Sequence, residues 1–450
     1  MSTERQIKVL SFNCWGLKYV AKDRAERIRA LADVLSTSNY DIIGLQELWV
    51  HADFQTIRNT VLKHLPYSKY FYSGALGSGL ALFSRFPITG SSIYPYALNG
   101  SPLDVAGGDF FVGKSITSIV IEHPVLGEVE VFNTHMYARG GETGHESMRS
   151  HRIVGALQVA KCFRASARQG RYIIATGDFN SIPTSLTLDI IRNHGGVTDA
   201  FASSHDSSLF QTEGVENPQH AVRSFGVTCD SPLNSYSAGK QLDEVASKWQ
   251  GKRLDYVFIR DPLHCSESSQ TLVCTHSEVV LTGRVPGRNF SYSDHFGLEV
   301  TLEIRPSSRS PGGGAVKLPP ELLHNGFAPS GAPSIRSVAR GPSFTTATEL
   351  HTGSINAAIS ALSVAYRQAR RISNLQLAGF VGCVIAAVGL IVGSAWQPWS
   401  AINPLVVLVG VVLGWGGGTL LYAGFIFGNY ETNMLVNAIE ELEMLRSQRE

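Results

Sequence analysis

Six short motifs hold the side chains that could do chemistry. They are SFNCWG with Asn13, LQE with Glu47, NTH with His135, GDFN with Asp178 and Asn180, RLDY with Asp255, and SDH with Asp294 and His295. Carboxylates suit a hard divalent cation, which takes oxygen ligands and usually only one or two carboxylates. Imidazoles titrate near neutral pH and can accept a proton from water. A lone Gln-Glu or Asp-His pair is usually a cap, a turn or a surface pair. Here the acidic, amide and imidazole groups recur beside apolar strands, in an order that can converge on one rim of a sheet. Sites of α/β proteins tend to lie at such positions.

The elements that must carry them are legible as alternating strands and helices. Ile7–Asn13, Asp41–Gln46, Leu80–Ser84, Ser115–Glu122, Val129–Thr134, Tyr172–Thr176, Leu254–Ile259 and Phe296–Ile304 read as strands. Ala25–Leu35 and Ser150–Ala167 carry helical spacing of apolar residues. Strands with interspersed helices predict a layered α/β or α+β domain over residues 1–305.

That pattern stops near Arg305. Residues 306–344 are rich in Pro, Gly and Ser, and read as a flexible linker. An amphipathic juxtamembrane helix is expected over 345–373, with Ile355, Ile359, Leu362 and Tyr366 on one face. Two uncharged stretches follow, 377–396 and 405–427. About 20 apolar residues span a ~30 Å hydrocarbon core, so these predict a transmembrane hairpin. Their glycines, among them Gly379, Gly382 and Gly416 to Gly418, permit close helix contact. Arg367, Arg370 and Arg371 precede the first span and no charge lies in 397–404. The positive-inside rule then puts both ends of the hairpin, and the catalytic domain, in the cytosol. Residues 430–450 are amphipathic and are expected to pack antiparallel against the helix around Ile355–Tyr366. The N-terminus lacks the apolar core of a signal peptide. None of the six cysteines forms a CxxC pair, which suits reduced thiols.

The ordered set of motifs resembles the exonuclease–endonuclease–phosphatase superfamily over roughly Ile7–Ile304, with NTHMYA, GDFNSIPTS and the two-span hairpin closest to neutral sphingomyelinases and fungal-type inositol phosphosphingolipid phospholipases C. The resemblance implies a deoxyribonuclease-I-like, four-layered α/β/β/α sandwich. It implies a phosphodiesterase dependent on Mg2+, with Mn2+ as the alternative, that releases ceramide and a phosphorylated head group. Glu47 would be the first metal ligand, with Asn13 supporting it directly or through water; Asp178, Asp294 or a water would complete the shell. His295 would be the general base, oriented by Asp255. Asp178 would position the attacking water or share the base role. His135 and Asn180 would donate hydrogen bonds to the phosphoryl oxygens.

GDFFVGKS, residues 108–115, matches the Walker A pattern. A nucleotide-binding loop needs a preceding strand and a following helix. Residues 101–107 are not an apolar strand, and the β-branched 115–121 reads as one, so no nucleotide is expected. Neutral sphingomyelinases carry a similar stretch in which an Asp and a Lys matter. By that resemblance Asp109 and Lys114 would form a regulatory switch responding to anionic phospholipid, with Phe110 and Phe111 touching lipid. Residues 139–148 are long enough for a substrate rim. The other histidines, His51, His64, His145, His151, His194 and His205, read as surface or helix-capping residues.

The leading expectation is a sphingolipid phospholipase C in the endoplasmic reticulum or another organelle membrane. The formal net charge of +1 argues against a nucleic-acid partner, which would call for basic clusters. The alternatives are a nuclease of the same fold or an inositol polyphosphate phosphatase; the latter typically carries an Arg after its G-D-x-N motif, where this chain has GDFNSIP.

Overall fold

The computed structural model describes residues 3–105, 107–142, 144–205, 214–263, 270–307 and 350–449. The chain folds first into two packed sheets. The first has the order β11 (Gln270–Val280), β12 (Gly297–Pro306), β1 (Gln6–Asn13), β2 (Ile42–Gln46), β4 (Ala81–Ser84), β3 (Tyr67–Tyr70). The second has the order β5 (Ile88–Pro95), β6 (Ser115–His123), β7 (Gly127–His135), β8 (Tyr172–Asp178), β10 (Asp255–Arg260), β9 (Thr198–Asp199).

Strand alternation sorts the apolar residues into layers. Ile7, Val9 and Ile42 face Val129, Val131, Ile174 and Val257 between the sheets. Leu10, Phe12, Ile43 and Phe83 point outward, under α1 (Arg24–Ser36) and α2 (His51–Val61). Phe132, Ile173, Tyr256 and Phe258 point outward from the second sheet, under α3 (Glu146–Arg168). This is the expected four-layered sandwich. Short helices α4 (Leu186–Asp189), α5 (Ala200–Ser204), α6 (Pro218–Phe225) and α7 (Glu244–Trp249) occupy the connections. Four strands escape the sequence reading: β3, β5, β9 and β11. Each is short, polar or on a sheet edge, so its apolar alternation is weak.

The C-terminal region differs from expectation in two ways. First, the juxtamembrane helix and the first apolar stretch form one helix, α8 (Thr352–Ser394), because no Pro or Gly interrupts residues 373–377. The second stretch and the terminal helix are likewise continuous. They run from α9 (Asn403–Leu421) through a π-helical turn at Tyr422–Phe427 into α10 (Gly428–Ser447). Beyond its first two positions the expected linker, 306–344, lies outside the described residues, as do 345–349.

Second, the helices are docked on the catalytic domain. Ile355, Ala358, Leu362 and Ala365 of α8 and Leu435 and Leu442 of α10 join Ile153, Leu157 and Phe163 of α3 in one core. α3 is buried almost all round over 150–160, which suits a helix covered on both sides. As expected, α10 runs back along the first half of α8. Ser373 Oγ donates to the Gly424 carbonyl at 2.6 Å, where the π turn leaves that oxygen accessible. The buried residues of α8 all lie at or before Ser373. Its 43 residues extend about 65 Å, so the remaining exposed, apolar half is long enough to cross a membrane.

Replacing Leu362 with Ala removes a fully buried side chain from the shared core. It is expected to cost about 2–5 kcal/mol, read as a lower thermal midpoint of the detergent-solubilised protein. An unchanged midpoint would show that the hairpin stalk does not belong to this core.

Candidate active site

Strand directions bring the motifs together. β1 and β2 are parallel, and so are β7 and β8, so Asn13, Glu47, His135 and Asp178 all emerge at one end of the sandwich. β10 is antiparallel to β8, and its first residue, Asp255, pairs with Asp178. β12 is antiparallel to β1, so Asp294 and His295, just before it, lie at the same end. The inward parity of Val257 and Ile259 turns Asp255 inward as well.

Asn13 Nδ2 donates to Glu47 Oε1 at 3.1 Å and to Asp178 Oδ2 at 3.0 Å, joining the two sheets. Its Oδ1 accepts from the Trp15 amide at 2.9 Å, which sets the amide orientation. Asn13 therefore presents its NH2 group, not its oxygen, to the carboxylates. His295 Nδ1 lies 2.8 Å from Asp255 Oδ2, and its Nε2 faces Asp178 Oδ2 at 3.9 Å. His135 Nε2 lies 3.6 Å from Asp178 Oδ2 and 3.9 Å from Glu47 Oε1. The Asn180 backbone N–H donates to Asp178 Oδ1 at 2.9 Å, and its side chain donates to the Met136 carbonyl. Asp294 contacts Ser293 Oγ at 3.2 Å. Glu47 and Asn180 both hold left-handed backbone conformations, φ 53° and 47°, which cost about 1–3 kcal/mol and collect at functional sites.

Burial shapes the charges. Asp178 is raised to about 7, first by loss of solvent and then by Asp255, against the pull of His295. Asp294 is raised to about 6, again chiefly by desolvation. For His295, burial opposes the charged ring, yet Cys229, Asp255 and Asp178 outweigh it and hold its proton well above the usual imidazole range. His135 goes the other way: burial, Lys114 and His295 keep it neutral.

These residues fit a hard divalent cation. The donor set is carboxylate-rich, Asp178 and Asp294 are destabilised as anions, and Asp255 Oδ1 is buried without a hydrogen-bond partner. Asp178, Asp255 and His295 form a cluster whose ligand atoms lie within 4.8 Å of one another. Two of the three already satisfy each other, which leaves Asp178 and the half-buried Glu47 as the carboxylates free to take a cation.

Several contributors escape the sequence reading. Arg27, fully buried on α1, donates to the carbonyls of Cys14, Trp15 and Tyr292, tying the Asn13 loop to the Asp294–His295 loop. Its one sequence signal is a position beside Ile28 and Leu31 on the apolar face. Trp49 Nε1 lies 3.5 Å from Glu47 Oε2. Arg152, also buried, donates to the carbonyls of Arg139 and Gly141 and shapes the expected rim loop. His151 and His194 are buried, contrary to the surface reading, because α3 and its neighbours are covered on both faces. His151 Nδ1 accepts from the Gly100 amide, and its Nε2 lies 3.6 Å from Glu431 of α10.

The Walker-like segment is followed by strand β6, not a helix. Asp109 and Lys114 form a buried ion pair at 2.9 Å. Lys114 also donates to the Met136 carbonyl, the same oxygen that Asn180 grips, one residue after His135. Phe110 packs edge-on against Phe427 in the π turn, with centroids 5.5 Å apart.

The raised carboxyls make a pH test. At pH 5.5 Asp178 holds a proton that a cation must displace and Asp294 nearby is largely neutral too; by pH 7.5 both are largely ionised. Mn2+ or Mg2+ affinity should therefore rise over that window, with proton release visible by calorimetry in buffers of different ionisation enthalpy. Flat affinity across the window would contradict the assignment.

The sequence matches the Endonuclease/Exonuclease/phosphatase family over residues 10–295. It is 40% identical over 312 residues to an inositol phosphosphingolipids phospholipase C of Schizosaccharomyces pombe, covering 68% of this chain and 70% of that one. It is 33% identical over 322 residues to the protein of the same name in Saccharomyces cerevisiae, covering 67% and 64%. It is 30% identical over 302 residues to sphingomyelin phosphodiesterase 2 of Mus musculus, covering 67% and 66%. The chain belongs to the endonuclease/exonuclease/phosphatase family.

Proposed function

We propose that this member of the family is a membrane-anchored sphingolipid phospholipase C. It hydrolyses sphingomyelin or inositol phosphosphingolipids to ceramide and a phosphorylated head group. The observation that carries the reading is a phosphodiesterase-type site on a domain packed against its own membrane hairpin. The names of the relatives supply the substrate class.

Glu47 and Asp178 would hold Mg2+ or Mn2+, with Asn13 fixing both carboxylates through its NH2 group. The cation would neutralise the anionic phosphodiester. His295 is the general base once it gives up the proton that Asp255 and Asp178 hold on it in the metal-free site, a loss that a cation drawing on the Asp178 carboxylate would favour; Asp255 holds the ring so that Nε2 faces the cleft. Asp178 positions that water, and Asp294 lies beside the base. His135, kept neutral, and Asn180 donate to the phosphoryl oxygens as charge builds.

The hairpin lies in the membrane with both ends cytosolic, as Arg370 and Arg371 just before the exposed half of α8 suggest. Loop residues Pro102 and Leu103 line one pocket together with Trp415, Gly418 and Tyr422 of the second span. This keeps the domain at the plane of the head groups and raises their effective concentration. The Asp109–Lys114 pair stands between the Phe110–Phe427 contact and the Met136 carbonyl, which suits a switch answering to anionic phospholipid.

The deciding assay is head-group release from sphingomyelin, inositol phosphorylceramide, phosphatidylcholine and DNA, with wild type and His295→Ala side by side. Sphingolipid cleavage that falls about 10²–10⁴-fold in the variant is expected; cleavage of DNA alone would sink the reading. For the switch, Lys114→Ala should lose most of its activity on vesicles containing anionic phospholipid. Unchanged activity there would remove that role.

A further inference from the structure

The layer between the two sheets changes character toward the site. At its far end the inward positions are apolar: Ile7, Val9, Ile42, Val129, Val131 and Ile174. One strand repeat nearer the site the same rows hold Ser11, Gly44, Asn133 and Thr176, joined by Gln46. The four polar side chains are completely buried. One repeat further come Asn13, His135 and Asp178. Apolar contact is non-directional and tolerates small sliding. Hydrogen bonds of good geometry do not.

Asn133 is the hub of this belt. It belongs to the second sheet, yet its Nδ2 donates across to the carbonyls of Leu45 at 2.9 Å and Ala81 at 3.0 Å on the first. Those two residues are partners at the end of the β2–β4 ladder. Its Oδ1 accepts from Gln46 Nε2 at 2.7 Å and lies 3.3 Å from Thr176 Oγ1. Ser11 Oγ crosses the other way, accepting from the Gly177 amide at 3.1 Å. Gly44 makes the approach feasible: a Cβ there would stand 2.1 Å from Thr176 Oγ1. Four of the residues in these contacts lie two residues before a site residue. Ser11 precedes Asn13, Leu45 precedes Glu47, Asn133 precedes His135 and Thr176 precedes Asp178.

We propose that Asn133 is a positioning residue that sets the separation of Glu47, on one sheet, from His135 and Asp178, on the other. It touches neither substrate nor cation. It acts by locking the two sheets in register one repeat below the cleft, where a shift of about 1 Å can lower turnover about 100-fold. The turnover arm of its test rests on the phosphodiesterase reading; the metal-binding arm does not.

The test uses the full chain in detergent micelles: wild type, Asn133→Leu, Thr176→Val, and Val131→Ala as a control one repeat deeper. Three quantities are read: thermal midpoint, Mn2+ Kd by electron paramagnetic resonance without substrate, and kcat and KM separately. Asn133→Leu is expected to weaken Mn2+ about 10–100-fold and to lower kcat similarly, with KM little changed. Val131→Ala is expected to lower the midpoint and leave the Mn2+ Kd alone. Thr176→Val, which removes one neighbour of the amide, should shift the Kd in the same direction by less, and it carries the test if Asn133→Leu does not fold. A folded Asn133→Leu with wild-type Mn2+ Kd overturns the proposal. So does a Val131→Ala control that weakens Mn2+ equally, since general loosening would then explain both, and so does wild type that binds no Mn2+. Wild type that binds Mn2+ but cleaves no sphingolipid defeats the functional reading alone.

Discussion

One amide holds together what the two sheets deliver separately. Asn13 Nδ2 lies within 3.1 Å of Glu47 Oε1 and 3.0 Å of Asp178 Oδ2, one carboxylate from each sheet. Without that bridge the sandwich would end in two facing rims of acid. With it, the rims become one cleft. The remaining chemistry follows from the same convergence. Asp178 is buried beside Asp255 and resists ionisation, while the charges that burden it hold a proton on His295. A site tuned in this way stores unfavourable electrostatics that a cation and an anionic substrate can relieve.

The second organising contact lies outside the sandwich. α3 serves as the outer layer of the second sheet and as the dock for the C-terminal stalk. Its inner face covers Phe132 and Phe258, and its outer face joins Leu362 and Leu435. The stalk is therefore a fifth layer rather than a loose leash. Two further contacts tie it to the sandwich: Phe427 on Phe110 of the Walker-like loop, and Glu431 beside His151 near the start of α3. The physical path from the π turn to His135 is short. It runs through the segment that carries Asp109 and Lys114 and ends on the Met136 carbonyl.

Much of this was legible in the chain of letters. Alternation in IKVLSFN and VEVFNTH fixes which residues face inward, and so places Asn13 and His135 at strand ends on the inner face. The uncharged stretches 377–396 and 405–427 mark helices fit for a membrane, because length and apolarity are properties of local sequence. That a strand and not a helix follows the Walker-like segment was visible too, since 115–121 is β-branched. Residues whose role is to hold backbone were not legible. Arg27 reads as an ordinary helix residue until the fold brings Cys14 and Tyr292 within its reach. Asn133 reads as a neighbour of His135 until the other sheet arrives.

By itself, then, the sequence picked out the candidate side chains, put them at strand ends and gave the order of the strands that carry them. Those are consequences of residue type and of a two-residue period. Only the tertiary structure decided the width of the cleft, the protonation of Asp178 and His295, and the docking of the stalk. Each depends on distances between segments far apart in the chain, and on how completely water is excluded between them.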